Sequence, residues 1–69
     1  MNKYKRYTVW SMSGSPHYTH KSFSNLQDAS DYALNFVHQF DGEEKRTTVC
    51  IDDAEIDGGE TIDFYDNIT

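Results

Sequence analysis

The middle of the chain most constrains the fold, because it has the pattern of one amphipathic helix. Ser24 and Gln27 have the spacing of an N-terminal capping box, and Gly42 can supply the left-handed conformation that ends a helix. We therefore predict a helix from about Asn25 to Phe40. Between these ends, apolar residues recur at the three- and four-residue spacing of one helical stripe; they are Leu26, Ala29, Ala33, Phe36, Val37 and Phe40.

Four segments around this helix are rich in β-branched and aromatic residues, as is typical of strands. They cover residues 4–12, 17–23, 46–52 and 60–66. Turn-forming residues separate the two members of each pair, with Ser13-Gly14-Ser15-Pro16 in the first pair and Asp57-Gly58-Gly59 in the second. We predict a single compact domain over residues 1–69 with an α+β fold. It would consist of a four-stranded antiparallel sheet with one helix packed on one face, in the order ββαββ.

Strand alternation assigns the side chains of this sheet to its two faces. The face toward the helix is expected to carry Tyr7, Val9, Val49, Ile51, Ile62 and Phe64. The opposite face, which a single helix leaves uncovered, is expected to carry Arg6, Thr8, Trp10, Cys50, Asp52, Asp63 and Tyr65. Trp and Tyr are enriched at binding hot spots, so Trp10 and Tyr65 are candidate partner-binding residues. The alternative is that both rings pack locally against long neighbouring side chains.

The last third of the chain carries acidic charge only. No Lys or Arg follows Arg46, whereas seven carboxylates do: Asp52, Asp53, Glu55, Asp57, Glu60, Asp63 and Asp66. The net charge of −6 disfavours direct binding to nucleic acid or to an anionic membrane. The tract is either a solubilising surface or a substitute for a nucleic-acid backbone. In the second case alternate strand residues, about 6.6 Å apart, would imitate phosphates and bind a basic protein.

Two groups of residues partly resemble metal sites. The segment Asp53-Ala-Glu55-Ile-Asp57-Gly58 matches the opening of a calcium loop, but Phe64 stands at the twelfth position, where a bidentate Glu is required. The spacing of a structural zinc site is missing from the remaining candidates, which are His17, His20, His38 and Cys50. We therefore expect no metal and no other cofactor.

The sequence contains no pattern typical of an enzyme. Cys50 has no catalytic motif around it, and a 69-residue chain rarely encloses the pocket that raises the pKa of a general acid. No signal peptide and no apolar run of membrane-helix length is visible. A lone cysteine excludes a disulfide within the chain and suits a reducing compartment. We expect a non-enzymatic, cytoplasmic protein.

In its size, its acidic run from Asp52 to Asp66 and its α+β pattern, the chain resembles the small acidic inhibitors that phages make against host defence. These include anti-CRISPR proteins and DNA-mimic anti-restriction proteins. The resemblance implies a non-enzymatic inhibitor that occupies the nucleic-acid-binding site of a host effector complex. One alternative is a structural or regulatory interaction domain that dimerises or docks through its aromatic sheet face. Another is a small metal-binding protein that uses the Asp53–Asp57 loop.

Overall fold

A computed structural model describes residues 4–12 and 17–67, and within them the chain forms a four-stranded antiparallel sheet and one helix. The α+β prediction is confirmed at this level. In chain order the elements are β1 (Tyr7–Met12), β2 (His17–Phe23), α1 (Leu26–His38), β3 (Thr48–Asp53) and β4 (Glu60–Asp66). β2 and β4 have the predicted bounds, whereas β1 and β3 begin later than predicted. The turn predicted at residues 13–16 lies outside the described residues.

The strands lie in the spatial order β2-β1-β3-β4, so β1 and β3 are central and β2 and β4 are edges. β1 is antiparallel to both of its neighbours. β2 and β3 therefore run in the same direction, with β1 between them. Strands that run in the same direction need a crossover connection, and α1 is that connection. The helix consequently lies across one face of the sheet. The opposite face, here called the open face, has no covering element among the described residues.

The helix begins one residue later than the predicted capping box. Asn25 is the N-cap: its Oδ1 accepts the Asp28 backbone N–H at 2.8 Å, and its Nδ2 donates to Asp28 Oδ2 at 2.9 Å. The predicted pair of Ser24 and Gln27 is therefore wrong by one position, because Asn25 competes for the same cap. Gly42 has a φ of 85°, but it follows the end of α1 by a further turn. No helix in the described part of the chain is long and apolar enough to cross a bilayer.

The core lies between α1 and the two central strands. Its fully buried members come from both layers and are Val9, Ala29, Ala33, Val37, Val49 and Ile51. The two alanines let the helix backbone approach the sheet closely. Burying each larger aliphatic side chain contributes about 1.5–3 kcal/mol relative to leaving it exposed. Half-buried aromatic side chains surround this centre; they are Tyr7, Phe23, Tyr32, Phe36 and Tyr65.

β4 presents the face opposite to the predicted one. Val49 lies opposite Tyr65 in the β3–β4 ladder, and Cys50 lies opposite Phe64. Directly opposed residues on neighbouring strands share a face, so Tyr65 lies on the helix side with Val49. Phe64 lies on the open face and is 61% exposed. The predicted placement of Ile62 and Phe64 under the helix is wrong, because a shift of one residue in register exchanges the two faces of a strand.

The pairing of both edge strands is also irregular. The register shifts between Val9 and Trp10 in the β1–β2 ladder and between Ile51 and Asp52 in the β3–β4 ladder. At the second shift Ile51 lies opposite Asp63, whereas Asp52 lies opposite Thr61. Asp63 therefore lies on the helix side of the sheet, not on the open face as predicted. Such bulges change the alternation of side chains along a strand, which a simple two-residue period cannot anticipate.

Candidate partner-binding surface

A row of side chains crosses the strands on the open face. Cys50 of β3 lies opposite Trp10 of β1 on one side and opposite Phe64 of β4 on the other. Although no helix covers this face, Cys50 is only 6% exposed. Neighbouring side chains on the same face therefore bury the thiol. Trp10 and Cys50 thus lie where they were predicted, and Phe64 takes the place that was predicted for Tyr65.

The indole of Trp10 is held by a carboxylate of the open face. Its Nε1–H donates to Asp52 Oδ1 at 2.8 Å, and the Thr61 hydroxyl donates to the same oxygen at 2.6 Å. Asp52 Oδ2 accepts no hydrogen bond from the described residues. Because no completely buried side-chain oxygen or nitrogen among those residues lacks a partner, this second oxygen is not completely buried. Asp52 is thus fixed through one oxygen, and its other oxygen has no partner in the part of the chain that the structure describes.

A second carboxylate of this face is neutralised within the chain. Asp66 accepts a hydrogen bond from Arg46 Nη2 at 2.7 Å and another from the Thr48 hydroxyl. The Arg46 and Thr48 hydrogen bonds hold the pKa of Asp66 below its ordinary value. Burial, assisted by the negative charges of Asp52 and Asp66, raises the pKa of the Cys50 thiol. Cys50 is consequently a neutral thiol at neutral pH and a poor nucleophile.

Asp53 was predicted to bind a partner, but its side chain is directed into the protein. It is 3% exposed, and its two oxygens accept hydrogen bonds from Arg6 Nε at 2.7 Å and from Arg6 Nη2 at 2.9 Å. The Arg6 hydrogen bonds, together with the backbone N–H of Glu55, hold the pKa of Asp53 below its ordinary value. This pair connects the segment before β1 to the end of β3. Asp53 therefore supports the base of the β3–β4 hairpin and is not available on its surface.

The remaining acids of the hairpin are exposed. Glu55, Asp57 and Glu60, here called the hairpin carboxylates, lie at or beside the turn that joins β3 and β4. Asp57, Gly58 and Gly59 have φ angles of 43°, 77° and 120°, which make this turn possible because Gly, and to a lesser extent Asp, tolerates positive φ. Among the described residues the only cation within 4 Å of a hairpin carboxylate is Arg6, whose Nε lies 3.7 Å from Glu55.

Tyr65 belongs to the core rather than to the open face. Its hydroxyl donates to Asp63 Oδ2 at 2.9 Å, and burial raises the pKa of the phenol. Asp63 is engaged in the same contact. The sequence pattern missed three residues of the open-face surface, Arg46, Thr61 and Phe64. Their placement depends on the β3–β4 register, for which the sequence offers no local signal.

The structure does not bring the candidate metal ligands together. His20 lies on the helix side, where its ring is 4.3 Å from that of Phe36, whereas Cys50 lies on the open face. Asp53, the first position of the calcium-like loop, is engaged by Arg6. Within residues 4–12 and 17–67, no three His, Cys, Asp or Glu side chains are close enough to hold a metal ion. The same residues enclose no pocket for a small molecule.

Comparison with protein-family models, with curated protein sequences and with solved structures found no match. The candidate partner-binding surface combines the exposed ring of Phe64, the half-buried ring of Trp10 and the Asp52 carboxylate with a hairpin whose Asp57 and Glu60 have no cation within 4 Å among the described residues. Such groups can bind cationic and apolar groups of another protein, and the positions of Trp10 and Asp52 are fixed before any partner arrives.

Proposed function

We propose that the protein is a non-enzymatic inhibitor that occupies the nucleic-acid-binding site of a basic partner. The partner would be a cytoplasmic host defence complex, such as a CRISPR effector, and the inhibitor would be encoded by a phage or another mobile element. The observation that supports this proposal is the exposure of the hairpin carboxylates, two of which have no cation nearby among the described residues. A groove that neutralises phosphates with Lys and Arg attracts such a group for the same Coulombic reason.

The hairpin carboxylates are the best candidates within the acidic tract because the other four acids have partners in the chain. Asp53 binds Arg6, and Asp66 binds Arg46. Asp52 accepts hydrogen bonds from Trp10 and Thr61, and Asp63 accepts one from Tyr65. Each exposed carboxylate should contribute at most about 1 kcal/mol to binding, so affinity should fall stepwise as they are neutralised.

The test is capture of the partner followed by competition with nucleic acid. Immobilised wild-type protein and the triple variant Glu55→Gln, Asp57→Asn, Glu60→Gln are exposed to a bacterial lysate at low and at high salt. We expect the wild type to retain a nucleic-acid-binding protein at low salt only, and DNA or RNA to displace it. The triple variant should retain much less, because the replacements keep shape and remove charge.

A matched control removes the same charge elsewhere. The variant Asp31→Asn, Glu43→Gln, Glu44→Gln changes three exposed acids of α1 and of the loop that follows it. It should retain the partner as the wild type does. Equal capture by the hairpin variant and the wild type would show that the hairpin carboxylates only solubilise the protein. An equal loss of capture in the hairpin variant and the control variant would likewise contradict a specific role for the hairpin carboxylates.

The open face supports a second candidate, an interaction domain that dimerises or docks through apolar contact. The specific observation is that Phe64 is 61% exposed on this face. It lies opposite the buried Cys50, and Trp10 lies on the other side of Cys50. Apolar docking weakens little with salt, whereas charge mimicry weakens steeply. Binding that persists at high salt and is lost in Phe64→Ser would favour this second function. Sedimentation of the isolated protein would show whether the bound chain is a second copy.

A further inference from the structure

We propose that Asp52 and the ring of Trp10 form a binding site for an arginine side chain of the partner. The inference deepens the proposed function, since it rests on the partner being basic, and it concerns the open face rather than the hairpin. The proposed arginine would bind Asp52 Oδ2 and stack on the indole. It would thus add a specific contact to the general attraction that the hairpin carboxylates exert.

Two hydrogen bonds to one of its oxygens hold Asp52 in place. Trp10 Nε1 and Thr61 Oγ1 both donate to Oδ1, at 2.8 Å and 2.6 Å. These two bonds fix the half-buried carboxylate, whose Oδ2 has no hydrogen-bond partner among the described residues and is not completely buried. No Lys or Arg in the described ranges lies within 4 Å of Asp52, whereas Asp53 and Asp66 each have an arginine. Within residues 4–12 and 17–67, Asp52 is therefore a carboxylate that is held in place but has no neutralising cation.

Apolar side chains lie beside Trp10 on the open face. Trp10 shares the open face with Cys50 and Phe64, and the thiol between the two rings is almost completely buried. A charged group that binds beside such a surface is partly removed from water, so its attraction to a carboxylate is screened less than on an open surface. The His17 ring already packs against the Trp10 indole, with ring centroids 4.8 Å apart and planes inclined by 31°, so the arginine would stack on the part of the indole that His17 leaves free. A cation within about 6 Å of an aromatic face gains cation–π attraction.

The net charge of the chain favours a cationic side chain as the group that binds here. A net charge of −6 disfavours a second copy of the chain on this face, because its own acids would repel those of the first. A cationic side chain is attracted by the same field. Arginine fits better than lysine, because a planar guanidinium can donate to a carboxylate while it stacks on an indole, and it is less strongly hydrated than an ammonium group.

The experiment uses the single tryptophan of the chain as a local probe. Its indole N–H gives one resonance in a ¹⁵N correlation spectrum. The spectrum is followed while a short peptide with two arginines is added at low salt. The comparison peptides carry citrulline, which has the same shape without the charge, or lysine. We expect a saturable shift of the Trp10 indole resonance with the arginine peptide, a weaker affinity for the lysine peptide and no response to the citrulline peptide.

The variant Asp52→Asn tests the carboxylate. Its amide oxygen can still accept from Trp10 and Thr61, so the fold should be kept, and the amide spectrum of the variant verifies this. Affinity for the arginine peptide should fall about fivefold, the effect of removing one exposed charge pair. The matched control Asp31→Asn removes one charge from α1, on the other face, and should bind as the wild type does.

Four results would overturn the inference. One is an indole resonance that does not respond to the arginine peptide. Another is an equal effect of Asp52→Asn and Asp31→Asn, which would reduce the contact to net charge. The third is equal affinity for lysine and arginine, which would remove the role of the guanidinium. The triple hairpin variant separates this inference from the proposed function: it should keep the indole response to the peptide even if it no longer captures the partner. Loss of the indole response in that variant would place the peptide on the hairpin and overturn the inference.

Discussion

Individual side chains divide the acidic tract into acids that stabilise the fold and acids that remain on the surface. The separation of basic and acidic residues along the sequence is partly removed by folding. Arg6, from the first 27 residues, which contain Lys and Arg but no Asp or Glu, binds Asp53 across a sequence separation of 47 residues. Arg46 similarly binds Asp66. An exposed charge pair contributes little to stability, but Asp53 is buried, and removing its partner would leave a charge inside the protein.

These two pairs predict how stability depends on pH. The pKa values of Asp53 and Asp66 are lowered by their arginines in the folded protein. A lowered folded-state pKa gives stability that is fully present above the unfolded-state pKa, near about 4, and is lost as pH falls through the folded-state value. Urea unfolding of the wild type should therefore show a free energy of unfolding that is level near pH 6 and falls below about pH 4.

The double variant Asp53→Asn, Asp66→Asn provides the comparison. It should be less stable than the wild type at neutral pH, because each arginine loses its ionised partner. It should also lose less stability on acidification, because two of the responsible groups no longer titrate. Parallel pH profiles for the two proteins would show that other carboxylates cause the acid sensitivity.

Among the secondary-structure elements, α1 is determined by local sequence signals, whereas the face that β4 turns toward the helix depends on long-range contacts. The helix is defined by its own sequence, through a cap at one end and an apolar stripe along one side. β4 has a clear strand composition, but neighbouring residues in it could serve either face. Its register with β3 decides between them, and this register places Tyr65 in the core and Phe64 on the surface.

The observed cap predicts a difference between two adjacent residues. Asn25→Ala should destabilise the protein by about 1 kcal/mol, because the Asp28 N–H loses its side-chain acceptor. Ser24→Ala should change stability by only a few tenths of a kcal/mol, within the range usual for exposed positions. The free energy of unfolding from urea titration measures both. A larger loss for Ser24→Ala than for Asn25→Ala would restore the predicted capping box.

The observed register predicts a similar contrast on β4. Tyr65→Ala should destabilise the protein by roughly 1–3 kcal/mol, less than the roughly 3–5 kcal/mol of a fully buried aromatic residue, because Tyr65 is half-buried. Phe64→Ala should cost less than about 1 kcal/mol, since its ring is mostly in water. Urea titration again gives the values. The reverse order of the two losses would mean that Phe64, as the sequence pattern predicted, packs under the helix.

The whole molecule combines a one-sided sheet with an excess of negative charge. The helix covers one face, so all larger aliphatic core residues of the sheet lie on that side, and the open face is left to aromatic and polar groups. The net charge of −6 is concentrated toward the β3–β4 hairpin, where the hairpin carboxylates are exposed. Like charges on so small a protein oppose folding as well as favouring a basic partner.

This excess charge predicts that salt stabilises the isolated protein. Between about 20 mM and 500 mM sodium chloride, screening of repulsion among acids should raise the Tm by roughly 2–6 °C, corresponding to about 0.5–1 kcal/mol for a domain of this size. The triple hairpin variant should show a smaller rise, because three of the repelling charges are gone. Thermal unfolding followed by circular dichroism makes the comparison. A Tm that falls with salt in the wild type would mean that attractive ion pairs dominate.

The sequence by itself determined the elements whose signals are local. The apolar stripe of α1, the spans of β2 and β4 and the turn at Asp57-Gly58-Gly59 follow from periodicity and turn chemistry within a few residues. The net charge of −6 and the position of Trp10 on the open face, where its ring is half-buried, likewise followed from the sequence. Each of these depends on residues close together in the chain or on composition alone.

The tertiary structure alone decided the order of the strands, the face of β4 and the partners of the acids. A strand has a two-residue period, so either face of Ile62–Tyr65 could have met the helix until the ladder with β3 fixed the register. The bulges that shift this alternation arise between strands, not within one. Asp53 looked like its acidic neighbours until folding brought Arg6 within 2.7 Å of it. Contacts between distant parts of a chain have no local signal, and the candidate surface consists mainly of such contacts.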